Sequence, residues 1–281
     1  MQQTSIDVSR FEVENGVSEY HAMLRITNPR LTYSEQVDAL LAAYESLVTK
    51  ELPGTVPVLK RFFLSDAANQ TNYLLAALLE RSSCALSIVE QPPLDGTKIA
   101  LWVYLQKGVQ VRTLPHGDYE VSHGAYRHIW SGYNFNKASK SEYQTRLLLN
   151  DYVMRLAEQG CSLAENCIRT WFFVQNVDVN YAGVVKARNE VFLTQNLTSE
   201  THFIASTGIA GRHADPEVLV QMDAYAIDGL QPGQVHYLYA PTHLNPTYEY
   251  GVSFERGTYV DYGDRRQVFI SGTASINNRG E

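Results

Sequence analysis

Two stretches of sequence, VPVLKRFFLSD (56–66) and CIRTWFFVQNVD (167–178), contain the same pair of phenylalanines. The first pair begins at Phe62 and the second at Phe172, which separates the two pairs by 110 residues. Both stretches have the apolar character of a buried strand. A similarity at a fixed spacing indicates an internal repeat, and a repeat decides how the rest of the chain is interpreted.

The elements around these stretches occur in the same order in both parts of the chain. Before each strand, apolar residues recur at helical spacing over 34–48 and 141–158, and each helix opens on a serine, a favourable N-cap. The other matched elements are a second helix, at 68–80 and 180–194, and a strand pair, at 84–106 and 202–227, with Pro and Gly turn residues between its strands. Four elements that recur in the same order and at a similar spacing indicate a repeated α+β unit.

An opening hairpin is expected at the start of each copy, over 11–27 and 116–135. The C-terminal stretch RQVFISGTASINNRGE is similar to a third such hairpin. Because a lone hairpin is marginally stable, we infer that the chain is a fragment of a longer protein or that this hairpin completes a sheet elsewhere. The predicted organisation is a degenerate first repeat (1–110), a second repeat (111–228), a linker (229–265) and the opening hairpin of a truncated third repeat (266–281).

Composition narrows the class of protein. The formal net charge is −7 and no run of Lys and Arg alternates with aromatic residues, which disfavours nucleic-acid binding. No stretch approaches the ~18 apolar residues of a membrane span, and the polar N-terminus does not have the pattern of a signal sequence. The cysteines, Cys84, Cys161 and Cys167, are expected to be free thiols of a cytoplasmic protein. No metal, phosphate-loop or dinucleotide motif occurs, so we expect no metal and no cofactor.

Several short motifs add to the repeat. The most specific is Phe269-Ile270-Ser271-Gly272-Thr273-Ala274-Ser275-Ile276, and the others are Ser253-Phe254-Glu255-Arg256, Arg169-x-Trp171, Tyr181, Arg188 and Ser206-Thr207-Gly208-Ile209. Together with the order of elements, these motifs resemble the RidA/YjgF (YER057c/UK114) family, most closely its chorismatase branch. The resemblance implies an α+β fold of tandem RidA/YjgF-like (chorismate-mutase-like) units, each a mixed sheet with two helices packed on one face.

The resemblance also implies an assembly and a ligand. RidA subunits form trimers with ligand pockets between neighbours, so self-association is expected, either as a trimer or as an intramolecular pseudo-trimer. The chorismatase branch joins RidA-like domains in one chain and hydrolyses chorismate. The expected partner is therefore a small carboxylated metabolite, bound in a pocket between repeats.

The family's deaminase chemistry depends on two groups that this sequence does not keep together. The deaminases hold the carboxylate of an imine substrate with an arginine, whose fork makes two parallel bonds to a carboxylate. That position corresponds to Ser83 in the first copy and Ser206 in the second. A family glutamate corresponds to Trp102 and Asp223. The first copy lacks both groups and the second keeps only a carboxylate, which argues against ordinary imine deamination.

Candidate binding residues follow from the resemblance and from charge. The segment around Gly208 would let a planar substrate approach the backbone, although Gly208 could equally relieve a strand bulge. Arg169, Arg188 and Arg256 would bind carboxylates, whereas the alternatives are an exposed strand edge for Arg169 and a solvated helix face for Arg188. The full set of candidates is Arg169, Tyr181, Arg188, Ser206, Thr207, Gly208, Asp223, Arg256, Ser271, Gly272 and Thr273, and no catalytic residue is assigned.

Three functional hypotheses remain, and whether the chain is an enzyme is left open. The first is a protein that binds or acts on a small carboxylated metabolite, as a chorismatase-like hydrolase would. The second is a RidA-type imine deaminase or endoribonuclease L-PSP-like protein. The third is a non-catalytic binding or scaffolding protein.

Overall fold

A computed structural model describes residues 3–79, 83–273 and 276–280. The chain forms two compact units. The first comprises Met1–Gly124 with Trp130–Tyr133 and Gly211–Pro216, and the second comprises Ala125–Ile129, Asn134–Ala210 and Glu217–Glu281.

The first unit contains one five-stranded mixed sheet and two helices. Its elements are β1 (Thr4–Phe11), β2 (Ser18–Ile26), α1 (Tyr33–Ser46), β3 (Val56–Leu64), α2 (Ala67–Leu78), β4 (Ala85–Glu90), β5 (Ile99–Lys107), β6 (Gln110–Thr113) and β7 (Tyr119–His123). The strand order is β1-β2-β5-β3-β4, in which β3 and β4 are parallel and the other neighbours are antiparallel. A π-helical turn, Leu47–Glu51, extends α1.

The core of the first unit lies between α1 and one face of the sheet. Leu40 and Tyr44 on α1 belong to the same buried cluster as Phe62 on β3 and Leu101 on β5. Alternate strand residues face the helix because side chains of a strand point to opposite faces in turn. The N-cap of α1 is Thr32 in a capping box, not the predicted serine.

The second unit repeats this arrangement and adds a small sheet. Its elements are β8 (Tyr126–Phe135), α3 (Ser141–Glu158), α4 (Leu163–Asn166), β9 (Cys167–Val174), α5 (Val177–Thr194), β10 (Ala205–Ala210), β11 (Val220–Asp228), β12 (Val235–Leu238), β13 (Gly257–Asp261) and β14 (Arg266–Ile270). The main sheet has the order β10-β9-β11-β8, with β9 and β10 parallel and β9 and β11 antiparallel. The predicted α+β fold of mixed sheets with helices is confirmed.

The ladders of the two units align residue by residue. Trp102 pairs with Arg61, one residue before Phe62, and Asp223 pairs with Trp171, one residue before Phe172. Trp102 and Asp223 are therefore equivalent, as the sequence indicated. The equivalent of Ser206 is Leu86 and not Ser83, because Ala85 and Ala205 occupy the same register on β4 and β10.

The predicted strand pairs are not hairpins. β3 lies between β4 and β5, and β9 lies between β10 and β11. The turn residues between 90 and 99 therefore begin a connection across the sheet rather than a tight reversal. The predicted pairing was wrong because local turn signals do not show which strand is the neighbour.

The range 229–265, expected as a linker, contains β12, β13 and a 3₁₀ turn at Thr247–Tyr250. β14 comes from the range 266–281 and pairs antiparallel with β13, giving the sheet order β12-β13-β14. Glu80 of the predicted helix and Ala274-Ser275 of the predicted hairpin lie outside the described residues. None of the three cysteines forms a disulfide bond in the described residues. Among the residues that the structure describes, no helix is long and apolar enough to cross a membrane.

Candidate functional site

The sheet of the second unit separates the predicted site residues onto two faces. Arg169 and Trp171 share one face of β9, whereas Thr170 and Phe172 share the other, because side chains alternate along a strand. Helix α5 packs on the Phe172 face, since Tyr181 of α5 contacts Gly208, the residue paired with Phe172. The face opposite the helices therefore carries Arg169, and Arg188 of α5 belongs to the helix side.

Arg169 is a buried connection between three strands. Its Nη2 donates hydrogen bonds to Thr207 Oγ1 at 2.5 Å and to the Ile270 carbonyl at 3.3 Å, and its Nη1 donates to the Thr170 carbonyl at 3.0 Å. The guanidinium also lies 4.7 Å from the centre of the Trp171 ring. Only 4% of Arg169 is exposed, so the exposed-edge interpretation was wrong. These hydrogen bonds use the donors of Arg169 to connect β9, β10 and β14.

Ser206, Thr207, Ser271 and Gly272 form a hydrogen-bonded bridge beside Arg169. The backbone N–H of Ser206 donates to Ser271 Oγ at 2.9 Å, and that hydroxyl donates to the Glu255 carbonyl at 2.5 Å. The N–H of Gly272 donates to Thr207 Oγ1 at 2.8 Å. The structure thus brings these four predicted residues together, and the Gly272 N–H is already used within the protein. Thr273 is exposed and Asp223 is buried on the Arg169 face.

Gly208 allows a close approach by Tyr181. A Cβ atom at Gly208 would lie 2.6 Å from Tyr181 Cε2, closer than side chains pack. The ladder between β9 and β10 runs through Gly208 without a register shift. The strand-bulge alternative for Gly208 was therefore wrong, and the glycine accommodates an aromatic ring.

Two arginines and three aromatic rings form a cluster on the helix side, which we call the arginine cluster: Tyr181, Arg188, Tyr250, Phe254 and Arg256. Tyr181 and Arg188 are seven residues apart on α5, two turns of helix, and so share one face. The Cζ atoms of Arg188 and Arg256 lie 5.8 Å and 5.5 Å from the centre of the Phe254 ring. Arg256 also lies 5.5 Å from the centre of the Tyr250 ring.

Both arginines of the cluster are buried, and neither has a carboxylate partner among the described residues. Arg188 is 1% exposed and Arg256 is 6% exposed, so the solvated-face interpretation of Arg188 was wrong. Within the described residues, Nε and Nη2 of Arg188 and Nε and Nη1 of Arg256 have no hydrogen-bond acceptor. Burial lowers the pKa of Arg188, an effect that the nearby Tyr181 and Tyr250 hydroxyls partly offset.

A cavity of about 380 Å³ lies beside Arg256, and we call it the Arg256 cavity. Its walls come from two segments of the second unit, residues 198–203 and 239–256. The wall residues that matter chemically are His202, Phe203, Tyr239, Phe254, Glu255 and Arg256. Arg256 Nη2 donates to the Asn245 carbonyl at 2.7 Å, which fixes the side chain against the second segment. The cavity therefore combines an aromatic lining with one cationic and one acidic side chain.

Glu255 is the acidic group of this cavity. Its Oε1 accepts a hydrogen bond from the Phe203 N–H at 2.8 Å, and no basic side chain in the described part of the chain forms an ion pair with it. Burial raises the pKa of the Glu255 carboxyl, while the Phe203 N–H and nearby His202 act in the opposite direction.

Sequence reasoning named Arg256 but missed most of the cavity. Phe254 and Glu255 belong to a motif that the sequence indicated without giving either residue a role, and no motif pointed to His202 or Tyr239. The available signal was the concentration of tyrosines in the range interpreted as a linker, which contains Tyr237, Tyr239, Tyr248 and Tyr250. Aromatic residues in a Gly- and Pro-rich stretch favour a binding loop over a flexible connection.

Comparison with known proteins yields matches in structure but not in sequence. No protein-family model matches the chain, and no curated protein matches it significantly in sequence. A chorismatase crystal structure matches with a TM-score of 0.56 and 16% identity, over 79% of this chain and 64% of the chorismatase. A YjgF-family protein from Neisseria meningitidis matches at TM-score 0.35 and 17% identity, over 43% of this chain and 98% of its own. The YjgF gene product of E. coli matches at TM-score 0.33 and 17% identity, over 38% and 84%.

The fold of the chain is similar to that of chorismatase, the branch that the sequence motifs resemble. The chain spans less than two thirds of the length of the chorismatase that it matches. At 16% identity the likeness establishes the fold alone, because one fold supports many unrelated activities. Function has to be argued from the arginine cluster and the cavity.

Proposed function

We propose that this chain binds a small carboxylated metabolite in the Arg256 cavity, with the Arg256 guanidinium as the partner of the carboxylate. The observation that carries the proposal is a cavity whose wall includes Arg256, a guanidinium that is 6% exposed and has no carboxylate partner in the described residues. A buried charge without a partner is costly, and a carboxylate fits the planar donor fork of arginine. A carboxylate in the cavity would lie beside this uncompensated positive charge.

The size and lining of the cavity agree with such a ligand. A volume of about 380 Å³ is within the range of small-molecule sites, which combine apolar walls with a few polar groups that fix orientation. Phe254 and Tyr239 offer ring surface to an apolar portion of the ligand. Because the protein carries a net charge of −7, a local cationic group is needed to attract an anion.

The test is calorimetric titration with 3-phenylpropionate as an anionic probe and 3-phenylpropanol as its uncharged counterpart. We expect the protein to prefer the carboxylate and Arg256→Met to lose at least about tenfold in affinity, since a hydrogen bond to a charged group contributes about 1.5–3 kcal/mol. Arg256→Lys should lose less, because it keeps the charge but not the fork. Arg266→Gln, at a side chain 64% exposed, is the matched control and should bind normally. Equal affinity for acid and alcohol would refute the proposal.

A second candidate function is hydrolysis of a carboxylated substrate of the chorismate kind. Its support is the TM-score of 0.56 to a chorismatase, together with Glu255, a carboxyl of raised pKa on the wall that carries Arg256. Incubation with chorismate should then release pyruvate, and Glu255→Gln should abolish the release. Binding without release favours the first proposal. Imine hydrolysis has no comparable support, because Ser206 stands where the family arginine would be needed.

A further inference from the structure

We propose that the edge strand β1 joins two copies of this chain, by pairing antiparallel with β1 of a second copy. A two-fold axis at Val8 relates the two copies, so that Val8 lies opposite Val8 of the second copy. The inference is independent of the proposed function, because β1 belongs to the first unit and the walls of the Arg256 cavity belong to the second. It assigns an interaction surface and its partner.

The first observation is that β1 is a long strand at the edge of its sheet. It runs over eight residues, Thr4–Phe11, and lies at one end of the order β1-β2-β5-β3-β4. Its pairing with β2 is continuous and has no bulge. Natural sheets protect such edges with short strands, proline, lysine or bulges, and β1 has none of these. An edge of this kind is a template for another strand.

The backbone groups on the outer side of β1 can be identified from its ladder with β2. The Thr27 N–H donates to the Gln3 carbonyl at 2.9 Å, which makes these two residues a hydrogen-bonded pair. Because bonded and non-bonded pairs alternate along an antiparallel ladder, every second residue of β1 directs its N–H and C=O away from β2. These residues are Thr4, Ile6, Val8 and Arg10. No other described strand pairs with them, so a second strand would meet unused donors and acceptors.

The second copy of the repeat indicates which kind of segment covers this edge. Strand β7 comes directly before β8, as β1 comes directly before β2, so β7 holds the same place in its repeat. An antiparallel strand, β6, pairs with β7 from Gln110 opposite Ser122 to Thr113 opposite Tyr119. Among the described residues β1 has no such neighbour. An antiparallel strand is therefore the expected occupant of its outer side.

The side chains of β1 fit a second copy of the same strand in one register. With the axis at Val8, Asp7 lies opposite Ser9 of the second copy and Phe11 lies opposite Ser5. With the axis at Asp7, the two Asp7 carboxylates would lie opposite each other, and like charges in that position are destabilising. With the axis at Ile6, Phe11 would have no residue of the other β1 opposite it. The register at Val8 avoids both defects.

Burial favours the same contact. Ile6 and Val8 pack against the core of the first unit but remain only partly buried. Residues opposite each other in a ladder have their side chains on the same face, so the second copy would cover more of this apolar edge. Phe11 on the other face is an exposed aromatic side chain, and it would gain a neighbouring strand.

The experiment measures association of the full chain by analytical ultracentrifugation. We expect a dimer, and a substitution at Ser9 should change its dissociation constant according to charge, because Ser9 lies opposite Asp7 of the second copy. Ser9→Lys should tighten the dimer and Ser9→Asp should weaken it. The two variants should differ about tenfold or more in Kd, since the two-fold axis counts each pair twice. Ser9 is exposed, so neither change disturbs the core.

Two further variants complete the test. Val8→Pro removes an N–H that the ladder with β2 does not use, and it should abolish the dimer. The matched control is the same pair of charges at an exposed serine of the second unit: Ser139→Lys and Ser139→Asp should have equal dissociation constants. Circular dichroism shows whether each variant remains folded.

The outcomes that would overturn the inference are distinct. One is a wild type that stays monomeric at every concentration. Another is an assembly with the same dissociation constant in Ser9→Lys and Ser9→Asp. A trimer that persists in Val8→Pro would also overturn it, and would favour the ring that the family resemblance implies. None of these results bears on carboxylate binding in the Arg256 cavity.

Discussion

The buried side chain of Arg188 is a single residue that lowers the stability of the folded protein. The side chain is 1% exposed, and two of its nitrogen atoms lack an acceptor in the part of the chain that the structure describes. Unpaired buried charge is destabilising, and residues that serve binding commonly reduce stability. A helix-forming side chain of similar length without charge should therefore fit the site better in the free protein.

We expect Arg188→Met to raise the free energy of unfolding by about 1–3 kcal/mol, because it removes an uncompensated charge and keeps the packing against Phe254. Urea denaturation followed by circular dichroism measures the change. Arg146→Met is the control, since Arg146 is 32% exposed within a surface ion-pair network and its loss should change stability by less than about 1 kcal/mol. A marked destabilisation by Arg188→Met would show that Arg188 has a structural role instead.

The sequence indicated three arginines as binding candidates, but it did not indicate their surroundings. Arg169, Arg188 and Arg256 were candidates because of charge and resemblance, and all three are buried. Their burial could not be predicted, since it depends on segments distant in sequence: Ile270 contacts Arg169, and Phe254 contacts Arg188. Only the structure shows which acceptors lie near each guanidinium. The sequence alone therefore cannot tell an arginine with hydrogen-bond partners from one without them.

At the scale of elements, strand β10 is held on one side by a neighbouring strand and on the other side mainly by side-chain hydrogen bonds. On its inner side it pairs with β9, and on its outer side it forms an isolated bridge between Ala205 and Glu255. Ser271 extends that contact, because its hydroxyl accepts from the Ser206 N–H and donates to the Glu255 carbonyl. The position of Glu255 at the cavity is thus linked to the C-terminal strand β14.

Ser271→Ala should lower the free energy of unfolding by about 1–3 kcal/mol, because it leaves a buried N–H and a buried carbonyl without their shared partner. It should also weaken binding of any ligand that uses Glu255. Thermal unfolding and calorimetry measure the two effects. Thr273→Ala, two residues further on at an exposed position, is the control. Wild-type stability in Ser271→Ala would contradict the importance of this bridge.

The elements themselves followed from local pattern, whereas their pairing did not. Helix α3 occupies the predicted range 141–158, because helical periodicity and length are local properties. The order of β4 and β5 was wrong because β3 inserts between them, a long-range event that turn residues do not encode. Strands β12 and β13 fell in a range interpreted as a linker, where Gly and Pro outweighed short strand signals.

At the scale of the whole molecule, the 110-residue spacing was sufficient to predict the fold. Phe62 and Phe172 are both fully buried at the same point of two similar sheets. The likeness to chorismatase extends over 64% of that protein. A shared fold does not establish a shared activity. The features from which function is argued are the two buried arginines, which have no carboxylate partner in the part of the chain that the structure describes, and the cavity that adjoins one of them.

The most direct test of carboxylate binding at Arg256 is a crystal structure of the protein with 3-phenylpropionate. We expect the ligand in the Arg256 cavity, with its carboxylate beside the Arg256 guanidinium and its ring against Phe254. A ligand bound elsewhere, or one whose carboxylate does not contact Arg256, would contradict the account.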